Sequence, residues 1–217
     1  MEHDACGVGL IASTEGKKSR KIVEYGIEAL KAVWHRGAVD ADGKTGDGAG
    51  IHVEIPKDFF IEKVEVTGHT YDNSEICVGM IFLPRNDYAA QESCKTIVES
   101  ELTKNDFSIY GWRQVPVNPK VLGEKAFQTM PEIIQVLFKS NNPELLNKDL
   151  ERKIYETRRI IENKAFQISL NNFYICSLSS KSIIYKGMFL AEAISDFFLD
   201  LKDDRFVSRY VLSLIHI

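Results

Sequence analysis

Cys6-Gly7-Val8-Gly9-Leu10-Ile11-Ala12 is a run of small and apolar residues followed by the breaker Gly16, a pattern that predicts a buried strand. The cysteine stands close to the start of the chain, after Asp4-Ala5 and before two alternating glycines. Glycines there let another backbone or a ligand approach closely. A cysteine nucleophile needs a thiolate and a base, and a cysteine exposed as the first residue carries its own base, the α-amino group, whose ordinary pKa is about 7.7–8.0. Removal of residues 1–5 would create that arrangement. The same residues fit a tight core strand equally well, because short glycine motifs specify little.

Outward from this strand, Ser19 is a plausible N-cap, and Ile22, Ile27, Leu30 and Val33 with Ala29 place an apolar stripe at helical spacing that ends at Gly37. Ala49 to Ile55 alternates up to Pro56 and predicts a second strand. Further strands are expected over Ile76 to Leu83, Ser108 to Val117 and Glu132 to Phe138, and a helix over Asp87 to Leu102. Glu144 to Phe166 has no Gly or Pro after Pro143 and predicts a long helix. Phe173 to Leu178 and Ser182 to Tyr185 read as a strand pair joined by a Ser-Lys turn, Leu190 to Leu199 as a short helix, and Glu65 to Glu75 as a surface loop. Without repeats or a Pro/Gly/Ser linker, the expectation is one mixed α and β domain.

The 217 residues are 44% hydrophobic and 27% charged, enough to bury a core. Net charge is -4, with no dense Lys/Arg patch, which argues against nucleic-acid or membrane partners. Apolar runs such as Val78 to Leu83 fall short of the roughly 20 residues a membrane helix needs. Residues 1–5 have neither the basic start nor the apolar stretch of a secretory signal, so a soluble, cytoplasmic protein is expected. The four cysteines lie far apart with no CxxC pair, which indicates neither a zinc site nor a disulfide framework; Cys77, Cys94 and Cys176 read as packing.

The second chemical candidate is His35-Arg36-Gly37-Ala38, followed by Asp42-Gly43-Lys44-Thr45-Gly46-Asp47-Gly48-Ala49-Gly50. Five of the fourteen glycines fall between Gly37 and Gly50. Such a loop offers open backbone N–H groups for an anion or oxyanion. It lacks the spacing of a nucleotide-phosphate loop, and a plain glycine-rich hairpin with a solvated Arg36 is the alternative.

The strings CGVGLIA (6–12), GxxSxKIVxxxxxAL (16–30), HRGA (35–38) and TGDGAGIxxxIPxxFF (45–60), with YICSLSSKSIIYKGM (174–188), resemble the start of the glutamate synthase large chain in order and spacing. TGDGAGI is the specific part; other class II amidotransferases share only the leading Cys-Gly and the HRG. The resemblance implies an α+β fold of the N-terminal-nucleophile hydrolase type, a four-layer αββα sandwich of two antiparallel sheets between helices. It implies cleavage after Ala5, with Cys6 attacking the side-chain amide of L-glutamine and the ammonia travelling to a distant flavin domain to meet 2-oxoglutarate. Arg36 and Gly37 then match the substrate pocket, while Asp47 and Gly48 are architectural, since an Asp in a glycine-rich turn usually caps backbone N–H groups.

The family's FMN, iron–sulfur cluster and nicotinamide or ferredoxin donor would lie outside these residues, in the remaining synthase domains and in a small electron-donating subunit. The resemblance also implies a later arginine for the glutamine carboxylate and an Asn-Gly oxyanion hole, neither of which is present. The expectation is therefore a propeptide over 1–5, an amidotransferase domain over 6–212 truncated at its C-terminus and by itself inactive, and a foreign tail over 213–217. The competing expectation is a non-catalytic α/β module with a structural Gly-rich loop.

Overall fold

Ser19 sets the start of the first helix: its hydroxyl accepts from the Ile22 N–H at 3.3 Å, satisfying one of the donors a helix N-terminus leaves open. The structure is a computed structural model and describes residues 6–215, apart from the side chain of Arg36. The expected propeptide and residues 216–217 lie outside the described residues. In chain order the elements are β1 (Gly7–Ala12), α1 (Arg20–Ala32), β2 (Ala49–Glu54), α2 (Lys57–Val66), β3 (Cys77–Leu83), α3 (Tyr88–Lys104), β4 (Phe107–Gln114), α4 (Glu124–Thr129), β5 (Glu132–Ser140), α5 (Asn147–Gln167), β6 (Tyr174–Ser179), β7 (Ser182–Gly187), α6 (Ile194–Phe197) and β8 (Tyr210–Ile215). They form two four-stranded sheets with associated helices, the α+β class expected.

Two compact units make up the chain, one built from residues up to Pro56, Val115–Met130 and from Ile184 onward, the other from Lys57–Gln114 and Pro131–Ile183. In the first, the sheet order is β1-β8-β2-β7, with β8 antiparallel to both β1 and β2. Helix α1 packs on this sheet through Val23, Gly26, Ile27 and Leu30. Gly26 allows that approach, since a Cβ there would lie 2.4 Å from Val211 Cγ1. Ser213–Ile215, in the segment expected to be foreign, continue β8 and pair with Gly7–Gly9 on one side and Ala49–Ile51 on the other.

The second sheet has the order β4-β5-β3-β6, all antiparallel. Its core joins Ile81, Val136, Phe138 and Ile175 to Cys94, Val98 and Leu102 of α3 and Leu150, Ile154 and Ile161 of α5. Cys77, Cys94 and Cys176 are buried, as their apolar surroundings predicted, and burial pushes the Cys94 thiol up to about 11.

Four expectations need correction. Helix α1 stops at Ala32, and Trp34–Arg36 form a separate 3-10 turn closed by the Gly37 N–H on Trp34 O at 3.1 Å. Strands β6 and β7 are not a hairpin, because they belong to different sheets. The Ser180 N–H and the hydroxyls of Ser179 and Ser180 all donate to the Glu151 carboxylate of α5 at 2.7–2.8 Å, and the N–H groups of Lys181 and Ser182 donate to Ser179 Oγ. Side chains, not a partner strand, satisfy that turn. The helix expected over Leu190 to Leu199 is broken into a 3-10 turn, the single turn of α6 and a second 3-10 turn. Helix α2 runs into the first two residues of the expected loop over Glu65 to Glu75, burying Phe59, Phe60 and Val64 while Ile61 and Val66 fall outside that set.

Candidate active site

Within the first unit, the ends of three strands line up. Gly7 of β1 and Ala49 of β2 both pair with Ile215 of β8. Cys6, which is exposed, immediately precedes Gly7, and the glycine-rich loop immediately precedes Ala49. The strand register therefore brings two segments more than thirty residues apart to one end of the sheet. Gly37 sits against that end, where a Cβ would lie 2.9 Å from Ile215 Cγ2. The side chain of Arg36, the other expected pocket residue, lies outside the described part of the structure.

The loop folds as a small hairpin. Val39 bridges Gly46, the Asp40 N–H donates to Thr45 O at 2.9 Å, and the Gly43 N–H donates to Asp40 O. Gly43 takes a φ of +70° at the tip, and Gly48 a φ of +149° at the entry to β2, both conformations that side chains disfavour. Asp47 Oδ2 accepts from the Ala38 N–H at 2.9 Å, the backbone-capping role expected of it.

Asp42 carries more contacts. Oδ1 accepts from the N–H groups of Lys44 and Thr45 at 2.9 and 2.7 Å, and Oδ2 accepts from the Thr45 hydroxyl at 2.6 Å. The hydroxyl bond first, then the amide bonds, hold this carboxyl well below the usual carboxylate range. Lys125 Nζ lies 2.6 Å from Asp40 Oδ2, which lowers the Asp40 carboxyl and raises the lysine.

A cleft of about 260 Å³ lies beside the loop. Gly37, Ala38, Val39 and Asp47 line it, with Phe189–Glu192 and Ile215. Cys6 is not among the described residues that line it; it is joined to the cleft through the Gly7–Ile215 pairing. So the structure brings Cys6 and Gly37 to one end of a sheet, where the sequence had placed them in separate motifs. What the sequence did not indicate is the wall formed by Phe189–Glu192 and the support given to the loop by Gly123, Lys125 and Ala126. Asp42 entered the sequence reading only as the first residue of the quoted glycine-rich stretch, and nothing pointed to Gly123.

Comparison with known proteins fits this arrangement. Over 211 residues the chain is 55% identical to the glutamate synthase (NADPH) large chain of Azospirillum brasilense, covering 97% of this chain and 14% of that one. It is 37% identical over 213 residues to the chloroplastic ferredoxin-dependent glutamate synthase of Spinacia oleracea, covering 97% and 13%. For ferredoxin-dependent glutamate synthase 1 of Arabidopsis thaliana the identity is 38%, with the same coverage. The chain thus spans about one seventh of the length of these relatives. The sequence profile described as "Glutamine amidotransferases class-II" matches residues 6–217, beginning at Cys6 itself, and the chain belongs to that family.

Proposed function

We propose that this chain is the glutamine-hydrolysing part of a glutamate synthase, with Cys6 as its nucleophile. The observation that carries the proposal is the position of Cys6: exposed, at the first residue of the family match, and one residue before a strand whose partner, Ile215, lines the glycine-loop cleft. The Cys6 thiolate attacks the side-chain amide carbon of L-glutamine, the amide nitrogen leaves with a proton as ammonia, and water then cleaves the thioester to give glutamate and the restored thiol. The base is the α-amino group of Cys6 once residues 1–5 are removed; an amide nitrogen at that position has no lone pair available for the proton. Arg36 and Gly37 shape the glutamine pocket.

In the whole protein the ammonia would be transferred reductively to 2-oxoglutarate. Identity is higher to the NADPH-dependent large chain than to the two ferredoxin-dependent chains, which supports a nicotinamide donor, with a small electron-donating subunit as partner. FMN and an iron–sulfur cluster, which would pass electrons from that donor to the reduction, are assigned to the remainder of the protein. The residues here do not fit such a cluster, because among the described residues no three His, Cys, Asp or Glu side chains converge on a metal position. Among those residues no helix is long and apolar enough to cross a membrane. Cysteines outside any disulfide support a reducing, cytoplasmic setting.

The test is Cys6→Ala in the full-length protein. Glutamine-dependent glutamate formation should vanish while ammonia-dependent formation survives; persistent glutamine turnover would remove Cys6 from the mechanism. Mass spectrometry of active enzyme should find the mature chain beginning at Cys6, and active enzyme that retains His3-Asp4-Ala5 would exclude the α-amino base.

A further inference from the structure

We infer that Thr45, with Asp42, latches the Gly37–Gly48 loop onto helix α4 and thereby positions the wall of the glutamine cleft. The inference rests on the proposed reading of that cleft. Helix α4 begins after Gly123, which has no side chain to cap the first turn. The Thr45 hydroxyl, 81 positions away in sequence, supplies that cap by accepting from the Ala126 N–H at 3.3 Å, and it donates to Asp42 Oδ2 at 2.6 Å. One buried hydroxyl therefore serves the helix and the loop turn at once. Thr45 is only 2% exposed, so water cannot replace either bond without opening the contact.

Packing enforces the same junction. A Cβ at Gly123 would lie 2.3 Å from Asp42 Oδ2 and 2.6 Å from Thr45 N, so the backbone of the α4 segment is pressed directly onto the turn. The Lys125–Asp40 ion pair at 2.6 Å spans the same contact at the surface. On its other side the loop rests on the opposite wall of the cleft, since a Cβ at Gly46 would lie 2.9 Å from Phe189 O.

The latch reaches the cleft through the hairpin. Thr45 O holds the Asp40 N–H, and Gly46, the next residue, bridges Val39. Asp47 follows and holds Ala38 through its carboxylate. A shift at Thr45 thus moves both arms of the hairpin, and with them Ala38, Val39 and Asp47, which line the cleft. Thr45 itself does not line it, so its part is positioning and not contact with glutamine.

The experiment compares Thr45→Val, which keeps the volume and removes the hydroxyl, with Thr45→Ser, which keeps the hydroxyl, in the full-length protein. Losing a buried hydrogen-bonded hydroxyl should raise the glutamine KM about tenfold, with kcat changed by less than about threefold. Ammonia-dependent glutamate formation should be unchanged, and amide exchange over residues 38–48 faster. Thr45→Ser should return the glutamine KM to within about twofold of wild type. A Thr45→Val enzyme with wild-type KM overturns the inference. So does a Thr45→Ser enzyme as impaired as Thr45→Val, or a Thr45→Val enzyme whose ammonia-dependent rate falls as far as its glutamine activity. Undiminished glutamine turnover by Cys6→Ala would instead overturn the reading of the site, whatever Thr45 does.

Discussion

Phe138 in the second unit and Thr45 in the first are both almost wholly withdrawn from solvent, at 0% and 2% exposure, yet burial means different things at the two places. Phe138 lies in an apolar cluster with residues of four strands and two helices, and its ring meets Phe107 edge to face at 5.4 Å. Its stabilisation is spread over many weak contacts that a differently shaped apolar side chain can largely recover. Thr45 is held by a few directed bonds and by backbone pressed against backbone at Gly123 and Gly46. The core is specified by volume and tolerates repacking; the loop is specified by single atoms and does not.

The contrast predicts its own largest effect in the core. Phe138→Ala should cost about 4 kcal/mol and lower the melting temperature by roughly 10 °C, whereas Phe138→Leu should cost about 1 kcal/mol. Equal losses for the two would contradict a core specified by volume. Gly123→Ala adds one methyl and should still cost about 2 kcal/mol, because the Cβ meets the Asp42 carboxylate and the Thr45 backbone nitrogen, neither of which can swing away. Limited proteolysis should then cut the loop near Gly43 faster, and a variant that melts and digests like wild type would show that the loop yields easily.

The smallest effect belongs to the ion pair between the buried Glu54 carboxylate and the half-exposed Arg209. Burial pushes the Glu54 carboxyl up, but the Arg209 side-chain and backbone hydrogen bonds outweigh it and leave the pKa below its ordinary value. A depressed folded pKa means stability that is present above the unfolded value, near 4.3, and is lost as pH falls through the folded one. Glu54→Gln should therefore narrow the melting-temperature gap to wild type as pH drops from 7 to 3, by only about 1–3 °C because Arg209 is half exposed. A gap independent of pH would mean that the pairing contributes nothing through charge.

The legible parts of this chain were those with local signals. Ser19 caps α1, as a short polar residue before an apolar stripe suggests, and α3 follows Asp87, where a helix was expected to begin. Strands β1, β2, β3 and β5 lie within a residue or two of their expected bounds. The candidate site was legible as two separate motifs, around Cys6 and over Arg36 to Gly50. What joins them was not, because the joining residue, Ile215, is an ordinary strand position whose partners depend on register.

The sequence by itself determined the strands and helices with clear periodicity, the three packing cysteines, the Cys6 motif with its glycines and the resemblance that pointed to an amidotransferase. Only the tertiary structure decided that β8 runs between β1 and β2, that β6 and β7 part into different sheets, and that Thr45 caps a helix begun by Gly123. The reason is physical. Periodicity and capping reflect bonds and burial within a few residues, so a short window of sequence contains them. Strand pairing and the contact of a bare glycine backbone with a distant carboxylate depend on which surfaces meet after the chain has folded back, and no property of Gly123 or Ile215 taken alone expresses that.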